Sequence, residues 1–338
     1  MRLCVLFLLT VSAVAFRSAN RHHHSTTSSS KTLNLVQSGR DLNIEVEEGV
    51  NICYDAIKEE NPAGPPVLYL PGLLSPKSEG KSINLRAFCK KQGYSFLSAD
   101  YYGTGKSSGN FVDGTVSRWT QDTIYLIEKL LLRQGQVVLV GHGVGAWIAF
   151  LVASQRPDLV SGIVGLAADP DFTEELLWKT LSDDVKNRIM TDGVSEITWG
   201  KDKYLISRNL IEDGRKNLLL TGGKGCQNIS QDAKDCIAYD IYSFLECTVL
   251  THRFVFPGSI KINCPVRLIH GLSDEEVPSS LAMRMLEACS CVDAAITLSK
   301  SSTHSMEEDG DMKAMRSMIK EVMYNFKGNY DLRSPGSG

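Results

Sequence analysis

Residues 137–147 read VVLVGHGVGAW. Val137–Val140 form a continuous apolar run, the pattern of a short strand buried on both faces. Glycines then recur at 141, 143 and 145, and Ala146-Trp147 opens an apolar stretch of helical length. A strand, a glycine-rich turn and a helix are the context of the nucleophile elbow, whose usual form is G-x-S-x-G. Glycines flank the nucleophile there because strand and helix nearly touch. Gly141 and Gly145 hold the flanking places, His142 the first x, and Val144 the residue after the turn. Gly143 stands where the serine is expected. Glycine adopts the strained backbone of that position at little cost, so the elbow is expected to persist, but no backbone atom replaces the lost Oγ as acyl acceptor. A dinucleotide-binding loop is the competing reading of such a turn. It calls for G-x-G-x-x-G, and counted from Gly143 the third glycine falls at Ile148.

Outward from this turn, strand and helix patterns alternate. Leu42–Val46 and Val50–Ala56 read as an antiparallel hairpin. Val67–Leu70 is a buried strand closed by Pro71-Gly72, Leu85–Lys91 suits a helix, and Ser95–Ala99 is a strand. Ser117–Gln134 carries Ile124, Ile127, Leu130 and Leu131 on one helical face. Gln136–Val140 is the elbow strand, Gly145–Ser154 its helix, and Gly162–Leu166 the next strand. The alternation stops over 171–263, a polar and largely helical stretch that reads as an inserted helical cap. It resumes with a strand at Val266–His270, a helix at Leu281–Cys289, a strand at Ala294–Leu298 and a closing helix at Met312–Phe326. Strands alternating with helices imply a mostly parallel sheet covered on both faces. The expected fold class is therefore α/β, with a core of 41–170 and 264–328 and a flexible tail at 329–338.

Three further motifs bear on chemistry. RLIHGLSDEEVP (267–278) places Asp274 in a loop after a late strand, with Glu275 and Glu276 as alternatives beside it. KSSTHSM (300–306) places His304 after the last strand. Nucleophile, acid, histidine is the chain order of an α/β hydrolase. In such a site the carboxylate orients the imidazole through Nδ1, and Nε2 acts as base. His252, within the insertion, and His270, within a strand, are the weaker histidines. LYLPGLLSP (68–76) nominates the Leu73 N–H as one donor of an oxyanion hole, with the Val144 N–H as the other. Ser75 and Ser107 lie on neighbouring loops, but neither has an elbow.

The stretches LPGLLSPKSEGK, FCKKQGYSFLSADYYGTGKSSG, VGHGVGAW, INCPVRLIHGLSDEEVP and SSTHSM together resemble the α/β-hydrolase superfamily. The resemblance covers roughly 64–170 and 262–326, and its branch is the mitochondrial palmitoyl-protein thioesterase and acyl-glucuronide esterase group. It implies a Ser-His-Asp hydrolase of acyl thioesters and esters, small or protein-borne, that needs no cofactor. Carried over residue by residue, Asp274 is the acid, His304 the base, and Leu73 and Val144 the oxyanion donors. Gly143 departs from the pattern, as does the insertion, above all 213–238. The implied protein is a hydrolase impaired at its nucleophile or a pseudohydrolase that binds a ligand or a protein.

The rest of the chain sets the context. Net charge is −3, which gives no basis for a nucleic-acid partner. Residues 1–40 hold Arg2, Arg17, Arg21, Lys31 and Arg40 and no acid, so this segment stands apart from the remainder. LCVLFLLTVSAVAF (3–16) is too short for a confident membrane span. Ending in Ala13-Val14-Ala15, it reads as a secretory signal peptide. Phe16 and the acid-free RHHHSTTSSSK (21–31) make it similar to a bipartite plastid signal. Secretion and a mitochondrial presequence are the alternatives. Eight cysteines follow Cys4 without a paired C-x-x-C pattern, so no metal is expected and disulfides or buried thiols remain open. Asn228-Ile229-Ser230 is a glycosylation sequon.

Overall fold

The computed structural model describes residues 37–200, 202–220 and 260–331. The elements are β1 (Gly39–Glu47), β2 (Val50–Ile57), β3 (Val67–Leu70), α1 (Gly80–Gln92), β4 (Phe96–Ala99), α2 (Val116–Leu126), β5 (Val137–His142), α3 (Val144–Gln155) and β6 (Val160–Leu166). After β6 come α4 (Asp183–Asp192), β7 (Val194–Trp199), β8 (Asp202–Ser207) and α5 (Arg208–Gly214). They are followed by β9 (Val266–Gly271), α6 (Ser279–Ala288), β10 (Ala294–Ser299) and α7 (Asp309–Asp331).

Among the described residues, eight strands form one sheet in the order β1-β2-β4-β3-β5-β6-β9-β10. The pairs β1–β2 and β2–β4 are antiparallel and the others parallel. Residues of β5 alternate between two apolar layers. Val137 and Leu139 pack with Trp147 and Phe150 of α3 and Trp119 of α2. Val138 and Val140 pack with Phe88 of α1 and Met315 and Ile319 of α7. Helix α3 is buried from Val144 to Ala153, so its all-round apolar sequence matches a helix enclosed by protein.

Register brings the functional loops to one edge. Leu70 is level with Gly141, and Gly141 with Gly165. The turns that leave β3, β5, β6 and β9 therefore emerge side by side. The elbow is held by close backbone contact. A Cβ on Gly145 would fall 2.1 Å from the Leu70 carbonyl oxygen, and one on Gly141 would fall 2.4 Å from the Gly145 backbone. Only glycine permits that approach.

Two expectations differ in the structure. The long helix expected over 117–134 is α only to Leu126, and then widens into a π turn over Ile127–Leu131 and a 3-10 turn. The stretch after β6, expected to be largely helical, contains the antiparallel hairpin β7–β8. In VSEITW, Ser195 and Ile197 are buried and their neighbours exposed. That is the two-residue period of a half-covered strand, and Gly200 at φ +57° makes the turn. Cys53, Cys89, Cys264, Cys289 and Cys291 are free thiols. Cys226, Cys236, Cys247, the sequon at Asn228, the tail from 332 and the segment 1–36 lie outside the described residues.

Backbone crowding at Gly145 gives a direct test. Gly145→Ala should destabilise the fold by about 3 kcal/mol or more, read as a lower urea midpoint. Gly310→Ala, in the first turn of α7 with none of the described residues within 4 Å of its added Cβ, should stay within about 1 kcal/mol of the parent.

Candidate active site

Gly143 turns the chain from β5 into α3 at φ +53° and ψ −122°. Its N–H donates to the Leu166 carbonyl at 3.0 Å, and its carbonyl accepts from the Ala146 N–H at 2.9 Å. These bonds fix the direction in which a side chain at 143 would project. A Cβ there would lie 3.8 Å from His304 Nε2 and 3.4 Å from Asp169 Oδ2.

His304 sits in the loop between β10 and α7, facing that point. Its Nδ1 lies 2.9 Å from Asp274 Oδ2. An ionised carboxylate only accepts, so Nδ1 carries a proton, and Nε2, which holds the lone pair of the neutral ring, faces Gly143. Burial pushes the imidazole down, but the hydrogen bond and charge of Asp274 outweigh it and hold His304 above the usual histidine value. The Asp274 side chain is fully buried. Burial alone would raise its carboxyl, yet hydrogen bonds from His270 and His304 hold it well below the ordinary range. Its Oδ1 also accepts from the Glu276 and Val277 N–H groups at 2.9 and 2.8 Å.

His270 is a residue that sequence reasoning set aside. It is fully buried at the end of β9. Its Nε2 lies 3.3 Å from Asp274 Oδ2 and 2.9 Å from the Val277 carbonyl oxygen. The available signal was its place four residues before Asp274 across a glycine turn, which brings the strand end under the loop. His142 is buried too, and its Nε2 donates to the His304 carbonyl at 2.9 Å. Burial, reinforced by the Lys81 charge, holds the ring well below the usual histidine value and therefore neutral.

A cavity of about 260 Å³ opens over Gly143. Gly72, Leu73, His142, Asp169 and His304 line it. Phe172, Leu177, Ile197, Trp199 and Ile206 form an apolar wall, and Glu79, Lys81 and Glu307 a polar end. The other nominated residues fall into place around it. Val144 opens α3, where first-turn N–H groups have no acceptor within the helix. Glu276 lines the cavity, whereas Glu275 is exposed. Ser75 lines the cavity from the 72–75 turn. The Ser107 hydroxyl is committed elsewhere, donating to the Asp100 carbonyl and accepting from the Cys53 N–H. His252 lies outside the described residues.

The sheet order, the elbow backbone and the acid–imidazole pair facing it define the α/β-hydrolase fold. The family described as Hydrolase_4, serine aminopeptidase S33, matches residues 80–311, and the chain belongs to it. It is similar to the human protein called palmitoyl-protein thioesterase ABHD10, mitochondrial, with 27% identity over 274 residues, 81% of this chain and 76% of that one. The structure of mouse alpha/beta hydrolase domain-containing protein 10 superposes with a TM-score of 0.65 at 23% identity, covering 84% of this chain and 98% of that one. The Est1E protein of Butyrivibrio proteoclasticus, solved with ferulic acid, gives 0.59 at 18%, covering 85% and 99%.

Asp169 is the most perturbed acid of the site. Burial, followed by the charges of Asp274 and Glu276, raises its carboxyl to about 8 against the opposing pull of His304. A group whose folded pKa exceeds its unfolded one favours folding at low pH, and that contribution is lost as pH climbs from about 4 toward 8. Asp169→Asn should therefore melt higher than the parent, with a gap that widens between pH 5 and pH 9. Thermal melts of both proteins across that range check it.

Proposed function

We propose that this chain is an acyl-ester or acyl-thioester hydrolase of the palmitoyl-protein thioesterase kind in which glycine has replaced the nucleophilic serine. The carrying observation is the convergence on Gly143. A side chain projecting from its backbone would meet His304 Nε2, the base a serine needs, and residue 143 has no side chain. In this reading Asp274 orients His304, and the N–H groups of Leu73 and Val144 receive the oxyanion. In this reading the insertion 171–263, of which 201 and 221–259 lie outside the described residues, is a cap on the core of 41–170 and 264–328. The hairpin residues Ile197, Trp199 and Ile206 supply an apolar wall suited to an acyl chain. The ligand is an acyl ester or thioester, small or carried on a protein, in line with the name of the human relative.

Losing the nucleophile of a triad costs on the order of 10⁶-fold in kcat. Binding and the oxyanion hole leave roughly 10³–10⁴-fold over water. The covalent acyl-enzyme route is thus closed, and the protein is impaired relative to serine-bearing relatives. A non-catalytic pseudohydrolase that binds a ligand or a protein is the second reading, favoured by the combination of a formed cavity with no acyl acceptor at 143. For the leader, the mitochondrial designation of the relatives supports a presequence at 1–40. A secretory signal, alone or as part of a plastid signal, is the other reading of the same residues.

Gly143→Ser should be labelled covalently by a fluorophosphonate probe, and the natural protein should not. The variant should also hydrolyse a medium-chain acyl thioester at least 10³-fold faster than the natural protein. A silent, unlabelled Gly143→Ser variant that folds would remove the acyl-hydrolase reading. Trp199→Ala should weaken binding of a non-hydrolysable acyl thioether on the order of tenfold through lost apolar contact, as measured by calorimetry.

A further inference from the structure

Asp169 has no task in the serine-hydrolase scheme. It follows β6, and its Oδ1 is buried without a hydrogen-bond partner among the described residues. Oδ2 stands 3.4 Å from the point where a Cβ of residue 143 would lie, and His304 Nε2 stands 3.8 Å from the same point. The imidazole is paired with Asp274 through its other nitrogen, so in the neutral ring, the form that acts as base, Nε2 carries the lone pair. Two acceptor atoms thus converge on a space that glycine leaves open toward the cavity. Water offers two O–H donors, and two converging acceptors are the complement it needs.

We propose that Asp169 is a catalytic residue of this protein, holding with His304 a water molecule over Gly143 that attacks the acyl carbon directly. The proposal rests on the acyl-hydrolase reading above. One O–H of the water points to His304 Nε2 and the other to Asp169 Oδ2, which leaves an oxygen lone pair for the substrate. A carboxyl oxygen accepts that bond whether or not the group carries a proton, because its carbonyl oxygen is an acceptor in both states.

In the step itself, the water oxygen bonds to the acyl carbon and one O–H bond breaks, its proton passing to Nε2. The carbonyl π pair moves onto the acyl oxygen, which faces the Leu73 and Val144 N–H groups. The C–S or C–O bond then breaks as the carbonyl re-forms, and the leaving thiolate or alkoxide takes the proton from the imidazolium. One water and one acyl ester or thioester become one carboxylic acid and one thiol or alcohol. No acyl-enzyme forms, and Asp169 neither gains nor loses a bond. With serine at 143 the hydroxyl would fill the same place, so Asp169 matters to this route only because the residue is glycine.

The test uses the full chain and a medium-chain acyl thioester, with release of thiol as the readout. It compares the natural protein, Asp169→Leu, Asp169→Ala, Asp169→Asn, His304→Ala, Gly143→Ser and Gly143→Ser with Asp169→Leu, each checked by its melting curve. Asp169→Leu, or Asp169→Ala if the larger residue does not fold, should lower kcat of the natural protein at least tenfold and move KM less than threefold. Asp169→Asn, which keeps an acceptor oxygen, should recover part of that loss. The same removal of Asp169 should cost the Gly143→Ser protein at least ten times less. Equal losses in the two backgrounds would overturn the proposal, since they mark a structural role. A natural protein no faster than His304→Ala would overturn it as well, and an active Gly143→Ser protein would then show that the acyl-hydrolase reading survives it.

Discussion

The Gly145 Cα and the Leu70 carbonyl approach each other so closely that a single methyl group would sit 2.1 Å from the oxygen. This contact clamps the end of β3 to the first turn of α3, and Gly141 closes it from β5. Residue 143 is then forced to the crest of the turn at positive φ. Leu73, just past β3, lines the same cavity as Gly143, and Val144 starts α3. The orientation of the cavity floor thus follows from a steric condition on two glycines, and it holds whichever residue occupies position 143.

Electrostatics does the rest of the positioning. Asp274 is buried, a costly state for an ionised carboxylate unless its oxygens are filled. Two backbone N–H groups and two histidines fill them. Because the acid is satisfied from below, its hold on His304 Nδ1 fixes the tautomer and aims Nε2 at the elbow. His142 ties the His304 backbone to the end of β5. A network this dense has little freedom to rearrange, which makes an undamaged acid–imidazole pair beside a glycine the central tension of the molecule. Membership of a serine-hydrolase family and a cavity with an apolar wall point to acyl chemistry. The absence of a side chain at 143 points away from a covalent intermediate. In our reading the two are reconciled by a weaker hydrolase in which water takes the serine's part.

Sequence alone determined the parts governed by local period and tight turns. The apolar run Val137–Val140 gave a buried central strand, and the spacing of Gly141 and Gly145 gave the elbow. Chain order pointed to Asp274 and His304, which the structure brings to 2.9 Å. Each of these signals lies within a few residues, or in an order that a parallel sheet preserves. Tertiary structure decided what depends on neighbours distant along the chain. The π turn after α2 falls in an apolar stretch, with Ile127, Leu130 and Leu131 buried, where one apolar face serves an α or a π turn alike. The hairpin β7–β8 lies in a polar stretch where the apolar pattern is thin, and in both contact with the body of the protein selects the shape. His270, for which spacing to Asp274 is the one local signal, and Asp169 are hard to read for a different reason. A strand-end histidine and a loop aspartate look like ordinary core and surface residues. What makes them part of the site is the register of β6 and β9 beside β5, which turns one ring onto Asp274 and one carboxylate toward Gly143. Sequence periodicity reports which face a side chain takes, and only the folded sheet fixes what stands opposite.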